Sequence, residues 1–270
     1  MRFRIFGNGA FGMALSKIFH KNMLIEDSFS EQFAPILNDD ILIPAVPSDV
    51  CVDVLKKILE FGKPKAIMLV SKGLASHRLL SVDCQESVKC NAPLLFFAGP
   101  NLAKEIETDT SFLSATVAGP SEITAKIKQF LDDMIIDETP DLIIAQVAAV
   151  VKNVTAFVIG YLELTENARA TLIMEGMKEA VLLAQALGSS ENNTLRGCFG
   201  DFVLTCTSQN SRNFQAGRAY RTKTVQNTTQ ESLKSIDNIY ALKGELKLPI
   251  VDFFYNLVKS GNGKLDLLNK

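Results

Sequence analysis

Ten residues near the start, Ile5-Phe6-Gly7-Asn8-Gly9-Ala10-Phe11-Gly12-Met13-Ala14, constrain this chain more than any other stretch. They set a G-x-G-x-x-G spacing directly after a short apolar run and directly before a helical pattern that reaches about Phe19. Glycines at this spacing allow a tight turn and close backbone approach to a pyrophosphate. The helix start adds free N–H groups and a dipole that favours an anion. A glycine trio by itself can be an ordinary turn; with a strand before it and a helix after it, the segment reads as a dinucleotide site opening an α/β domain.

The residues that follow keep the same rhythm. Short apolar runs predict strands at Phe3–Phe6, Asp40–Val46, Ala66–Val70, Leu94–Ala98 and Ser114–Ala118, separated by amphipathic stretches, the pattern of a parallel sheet with crossover helices. The middle three runs end in Pro47-Ser48, Ser71-Lys72-Gly73 and Gly99-Pro100-Asn101, polar or glycine-containing loops that would wall one crevice at the carboxyl ends of the strands. Pro44 within a central strand would remove a ladder hydrogen bond and predicts a bulge or an edge position. From Asp141 the pattern turns helical, in runs through Leu187, then Asn192–Thr207, Thr228–Leu246 and Ile250–Lys259. The expected organisation is therefore a Rossmann-like, doubly wound domain over residues 1–140 and an all-α substrate domain over 141–270.

Composition narrows the partners. Twenty-eight basic against thirty acidic side chains leave a formal charge of −2, so the chain has no surplus with which to hold nucleic acid. Five scattered cysteines without a C-x-x-C pair, and only His20 and His77 as histidines, speak against a disulfide framework and a metal site. No uninterrupted apolar run reaches the roughly 18 residues of a membrane span. The expectation is a cytoplasmic protein acting on a small molecule. Cys206 reads as a buried apolar thiol and His77 as an idle loop histidine.

Seven segments carry a resemblance: GNGAFGMAL at 7–15, VPSDV at 46–50, SKGL at 71–74, GPNLAKEI at 99–106, VKNVTAF at 151–157, ENARATLIMEG at 166–176 and GDFVLTCTSQNSRN at 200–213. In this order the chain resembles the bacterial type of the NAD(P)-dependent glycerol-3-phosphate dehydrogenase family. The resemblance implies that Gly7, Gly9, Ala10, Phe11 and Gly12 hold NAD(H) or NADP(H), with Lys72, Ala103, Arg212 and Glu231 as further cofactor contacts. It implies Lys72, Gly99, Asn101, Ser211, Arg212 and Asn213 around a phosphorylated three-carbon substrate, and Lys152, Lys72 and Asp201 at the chemistry, with Lys152 the proton carrier. It also leaves room for a homodimer. Oxidising a secondary alcohol removes a hydride from carbon and a proton from oxygen, so a basic side chain within reach of the hydroxyl is needed. Arg212 offers the planar fork that suits phosphate. Asn167 and Arg169 fall in a resembling segment with a role in domain packing or a subunit contact rather than in chemistry.

The chain departs from the family between Phe19 and Asp40, where about twenty residues stand in for a fuller second βα unit and its return strand. The N-terminal domain is thus expected to be shortened. On one reading Asn22–Ile25 is the second strand and Glu26 or Asp27 takes the ribose hydroxyls, favouring NADH; on the other, Met23–Asp27 is a leftover of a later connection. Asn101 replaces a serine or threonine, Ala148 and Ala149 a glycine pair, and Ser232 a glycine. The family activity is the leading expectation, and a catalytically reduced nucleotide-binding relative of the same fold is the alternative.

Overall fold

The computed structural model describes residues 1–88, 91–190, 196–224, 231–261 and 263–267, with the side chains of Arg196 and Glu231 outside that description. Seven strands form one sheet: β1 Arg2–Phe6, β2 Met23–Glu26, β3 Asp40–Pro44, β4 Ala66–Leu69, β5 Leu94–Ala98, β6 Ser114–Ala118 and β7 Ile135–Thr139, in the order β2-β1-β3-β4-β5-β6-β7. The interior strands are apolar at nearly every position because helices cover both faces. Phe3, Ile5, Ile41, Ile43 and Met68 face α1 (Ala10–Ile18) and α5 (Ser121–Phe130). Phe6, Leu42, Ile67, Leu69 and Phe96 share the opposite core with α2 (Ser48–Leu59), α3 (Leu80–Ser87) and the C-terminal helices. The short α4 (Ala103–Ile106) lies beside α1.

Four strand expectations change in detail. The second strand exists, as Met23–Glu26, and pairs with β1 in parallel, Phe3 opposite Met23 and Phe6 opposite Glu26. The sheet therefore keeps its full start. What is short is the crossover from β2 to β3, residues 27–39, which contains no helix. β6 runs antiparallel to β5, because the chain returns through α4 and a loop on the same end of the sheet instead of crossing it. β7 was hidden by the charged run Asp137-Glu138-Thr139; only Ile136 and Thr139 of the strand are buried, as suits an edge strand paired on one side. Pro44 makes neither a bulge nor an edge. It ends β3 opposite Phe6, Ala45 N–H then donates to Phe6 O, and pairing with β4 covers only Ile41 and Leu42, so the missing N–H falls where no acceptor is waiting.

Asp141 caps the next element, accepting from the Ile143 and Ile144 N–H groups. α6 (Leu142–Leu162) is then buried without interruption from Ile144 to Gly160 and forms the axis of the helical half. Around it pack α7 (Glu166–Ala186), α8 (Arg196–Thr207), α9 (Arg212–Arg221), α10 (Glu231–Lys234), α11 (Ile236–Lys243) and α12 (Pro249–Ser260). The apolar run through Leu187 is thus two helices, broken where Glu163 takes φ 49°. The run expected over Thr228–Leu246 is two as well, broken at Ser235; its residues 228–230, and residues 192–195 of the run before it, lie outside the description. Glycine lets α6 and α9 cross closely: a Cβ on Gly217 would stand 2.0 Å from Phe157 O, and one on Gly160 2.1 Å from Phe214 O. α8 packs back onto β6, so the helical half and the sheet share a core and enclose a crevice at the strand ends.

Candidate active site

The glycine loop has the shape of an anion cradle. Gly7 takes φ 125°, and a Cβ there would come within 2.5 Å of Ala45 O; a Cβ on Gly12 would come within 1.9 Å of Gly7 O. These two glycines permit the turn itself. Gly9 differs, since a Cβ on it would meet nothing within 4 Å. The space in front of the α1 start is open, no side chain caps that helix, and its first N–H groups face a volume a pyrophosphate would fill. Ala10 is exposed and Phe11 half-buried at this mouth, and Ala103 is half-buried at the start of α4.

Across the crevice three charged groups meet. Asp201 Oδ2 accepts from Lys152 Nζ at 2.5 Å and from Lys72 Nζ at 2.7 Å. Lys72 also donates to Gly99 O at 3.2 Å, and its ammonium lies 5.7 Å from the Phe11 ring, tying the cluster to the glycine loop. Lys152 reaches Thr205 Oγ1 at 3.2 Å, and that hydroxyl donates to Asp201 O at 2.6 Å. Burial alone would raise the Asp201 pKa; Lys152 and then Lys72 outweigh it and hold the carboxyl below its ordinary range. The geometry thus places the two lysines on one carboxylate, each from a different part of the chain.

The neighbouring amides extend the cluster. Asn153 Nδ2 donates to Lys72 O at 3.2 Å and Asn213 Nδ2 to Asn153 Oδ1 at 2.9 Å. Asn213 Oδ1 and both polar atoms of Asn101 are buried with no partner in the protein, which leaves them able to bond a ligand or a water. Ser211 caps α9, its Oγ accepting from Phe214 N. Arg212, first in that helix, is exposed and has no hydrogen bond or ion pair among the described residues. Glu231 opens α10, but its side chain lies outside the description.

Sequence reasoning missed two groups. Asn153 and Thr205 lie inside resembling segments, the first beside Lys152 and the second one helical turn after Asp201, and that spacing was the available signal. It also missed the clamp on the Lys72 loop, where Ser235 and Asn238 of the α11 region bond the Leu74 backbone. The remaining candidates fall outside the chemistry. Glu26 is engaged by Arg4 instead of standing open at the cofactor's ribose. Arg169 pairs with Glu166 and lies 5.9 Å from the Phe214 ring, a packing contact, while Asn167 is exposed. His77 is exposed, and burial pushes the Cys206 thiol far up, as expected of an inert cysteine. Ala148 and Ala149 are buried within α6, and the Ser232 hydroxyl is buried without a partner.

Known proteins match most of the chain. Residues 29–125 match the family described as NAD-dependent glycerol-3-phosphate dehydrogenase N-terminus, and residues 141–268 its C-terminus. A glycerol-3-phosphate dehydrogenase (NAD(P)+) of Rickettsia rickettsii (strain Sheila Smith) is 35% identical over 190 residues, 66% of this chain and 56% of that protein. The chain thus spans little more than half of that relative's length. One of Rickettsia bellii (strain OSU 85-389) is 32% identical over 243 residues, 82% of this chain and 76% of that protein. Among solved structures, the fold is similar to a glycerol-3-phosphate dehydrogenase from Coxiella burnetii, with TM-score 0.81 and 22% identity over 97% of this chain and 95% of that one.

Proposed function

Because the chain belongs to the NAD-dependent glycerol-3-phosphate dehydrogenase family, we propose that it interconverts dihydroxyacetone phosphate and sn-glycerol 3-phosphate, using NAD(H) or NADP(H), in glycerophospholipid synthesis. The observation that carries this reading is the pair Lys152 and Lys72 on the buried Asp201 carboxylate, opposite an open glycine cradle. When bound, the nicotinamide exchanges a hydride with the substrate carbon. In the reducing direction the Lys152 ammonium hands a proton to the carbonyl oxygen as that oxygen gains charge; in the oxidising direction the amine takes it back from the hydroxyl. Asp201 and Thr205 fix where that ammonium points, and Lys72 adds a second cation on the same oxygen side. Gly99, whose carbonyl already holds Lys72, has no room for a side chain: a Cβ there would meet Ser114 O at 2.3 Å.

For the phosphate, Arg212 supplies an unengaged guanidinium, and Ser211 and Asn213 flank it with a hydroxyl and an amide. The unpartnered Asn101 amide serves a substrate hydroxyl or carbonyl. Residues 1–140 form the cofactor domain and 141–270 the substrate domain in this reading. It also places the protein in the cytoplasm and in a homodimer, for which exposed Met174 and Leu182 on one face of α7 offer apolar surface. The deciding experiment is oxidation of NADH and NADPH by dihydroxyacetone phosphate, with glyceraldehyde 3-phosphate as control. Turnover with dihydroxyacetone phosphate alone is expected; no turnover by the folded protein with either cofactor would reject the reading.

A further inference from the structure

In a dinucleotide fold the acid at the carboxyl end of the second strand accepts the hydroxyls of the adenosine ribose, and its charge repels the 2′-phosphate of NADP(H). Glu26 holds that position here, but it is turned to other work. Arg4, in the middle of β1, is wholly buried. Its Nε donates to Glu26 Oε2 at 2.8 Å, its Nη2 reaches the same oxygen, and Ala34 N–H donates to Oε1. The other donors of Arg4 go to Pro35 O at 2.9 Å, Ala34 O at 3.0 Å and Asp40 Oδ2 at 3.4 Å.

Asp40 is itself shared with Arg2, at 2.6 and 2.8 Å, and with Leu37 N–H. Glu26 is therefore the closest counter-ion of a buried guanidinium. Turning its carboxylate outward to a ribose would leave that guanidinium with a distant and divided partner, a loss that a hydroxyl contact at the surface does not offset. Next along the chain, Asp27 Oδ1 accepts from Phe29 N–H and closes a local turn.

We propose that this chain holds its cofactor by the pyrophosphate and nicotinamide half, and that Glu26, fastened to Arg4, reads neither the ribose hydroxyl nor a 2′-phosphate. The inference rests on the dehydrogenase reading above and replaces the expected NADH preference with indifference between the two cofactors. The positive guanidinium behind Glu26 also offsets the charge on which discrimination against NADP(H) would depend. What grips the cofactor is the Gly7–Gly12 cradle and the cluster at Lys72.

The test is equilibrium binding at fixed salt, followed by protein fluorescence, with NADH, NADPH and reduced nicotinamide mononucleotide as probes. On the unaltered protein the dissociation constants for NADH and NADPH should agree within about threefold, and the mononucleotide should bind within about tenfold of NADH. The double variant Arg4→Met/Glu26→Leu, which exchanges the buried pair for apolar side chains, should keep the same NADH to NADPH ratio. NADH binding more than tenfold tighter than NADPH, or a mononucleotide weaker by a hundredfold or more, would overturn the proposal without touching the activity. A ratio shifted tenfold in the double variant would do the same. Failure of all three probes to bind would remove it together with the dehydrogenase reading.

Discussion

Two buried ionic clusters, one around Asp201 of α8 and the other around Arg4 of β1, are built to different rules. Around Asp201, two lysines share one carboxylate, leaving positive charge in excess, with the unpartnered Asn101 amide and the unpartnered Asn213 Oδ1 nearby. Around Arg4, the guanidinium lies between Glu26 and Asp40, and its remaining donors end on the carbonyls of the β2–β3 crossover. The first cluster is incomplete and opens toward a ligand. The second is saturated and holds chain to chain. Burial and charge alone do not mark a site; what distinguishes the Asp201 cluster is the capacity left over after the protein's own groups have been matched.

If that distinction holds, damage to the two clusters should appear in different measurements. Lys152→Ala should lower kcat by about two to four orders of magnitude, the usual scale of acid–base catalysis, while cofactor affinity from fluorescence titration stays near wild type. Near-normal turnover in both directions would erase the contrast. Arg4→Ala should do the reverse. It strands Glu26 and Asp40, so denaturant unfolding should report a loss of about 3–5 kcal/mol, the scale for removing one partner of a buried pair, with kcat unchanged where the variant is folded.

A further buried carboxylate sharpens the comparison, because Glu179 pairs with no cation among the described residues. It accepts the Ile250 and Val251 N–H groups at the start of α12. Burial raises its pKa to about 7, against the lowering effect of those two N–H groups. The folded state then binds more protons than the unfolded one between the ordinary value of 4.5 and about 7, so this group's contribution to stability falls as pH rises through that window. Glu179→Gln should flatten the dependence, and the stability difference between pH 5 and pH 8 should shrink by on the order of 2–3 kcal/mol. Asp40 and Asp201 carry the opposite sign: both are held below the ordinary carboxylate value despite burial, so what they contribute is lost only as pH falls through their lowered values. The smallest effect belongs to the exposed end of the site. Arg212→Ala should raise KM for the phosphorylated substrate about tenfold, with kcat little changed, since the contact is made in ground and transition states alike.

The clusters were unequally legible in the sequence for the same physical reason. Lys72, Lys152 and Asp201 sit in segments whose residue order is distinctive, so position along the chain located them. Arg4 sits between Phe3 and Ile5 in a run that reads as a plain strand, and only the sheet shows that β2 and β3 bring a carboxylate to each side of it. β7 escaped notice because an edge strand needs apolar residues on one face only, and the direction of β6 depends on how its connection folds back. The helical half was readable as helix, but not the breaks at Glu163 and Ser235, where backbone conformation and tertiary contacts end a periodicity that would otherwise run on.

α6 has a consequence for how the protein is made. By length and composition Leu142–Leu162 could cross a bilayer, although in the folded protein it is almost wholly covered. While it is being synthesised, it resembles cargo for the membrane-insertion machinery until its neighbours fold around it. Lys152, near its midpoint, is the only charged residue in the helix, and a central lysine opposes insertion by roughly 2.5–3.5 kcal/mol. The residue that would carry the reaction's proton is thus also the one that makes this apolar helix costly to place in lipid. Lys152→Ala removes that cost together with the proton carrier, so the variant should partition partly into the membrane fraction of expressing cells, whereas Lys152→Arg should not.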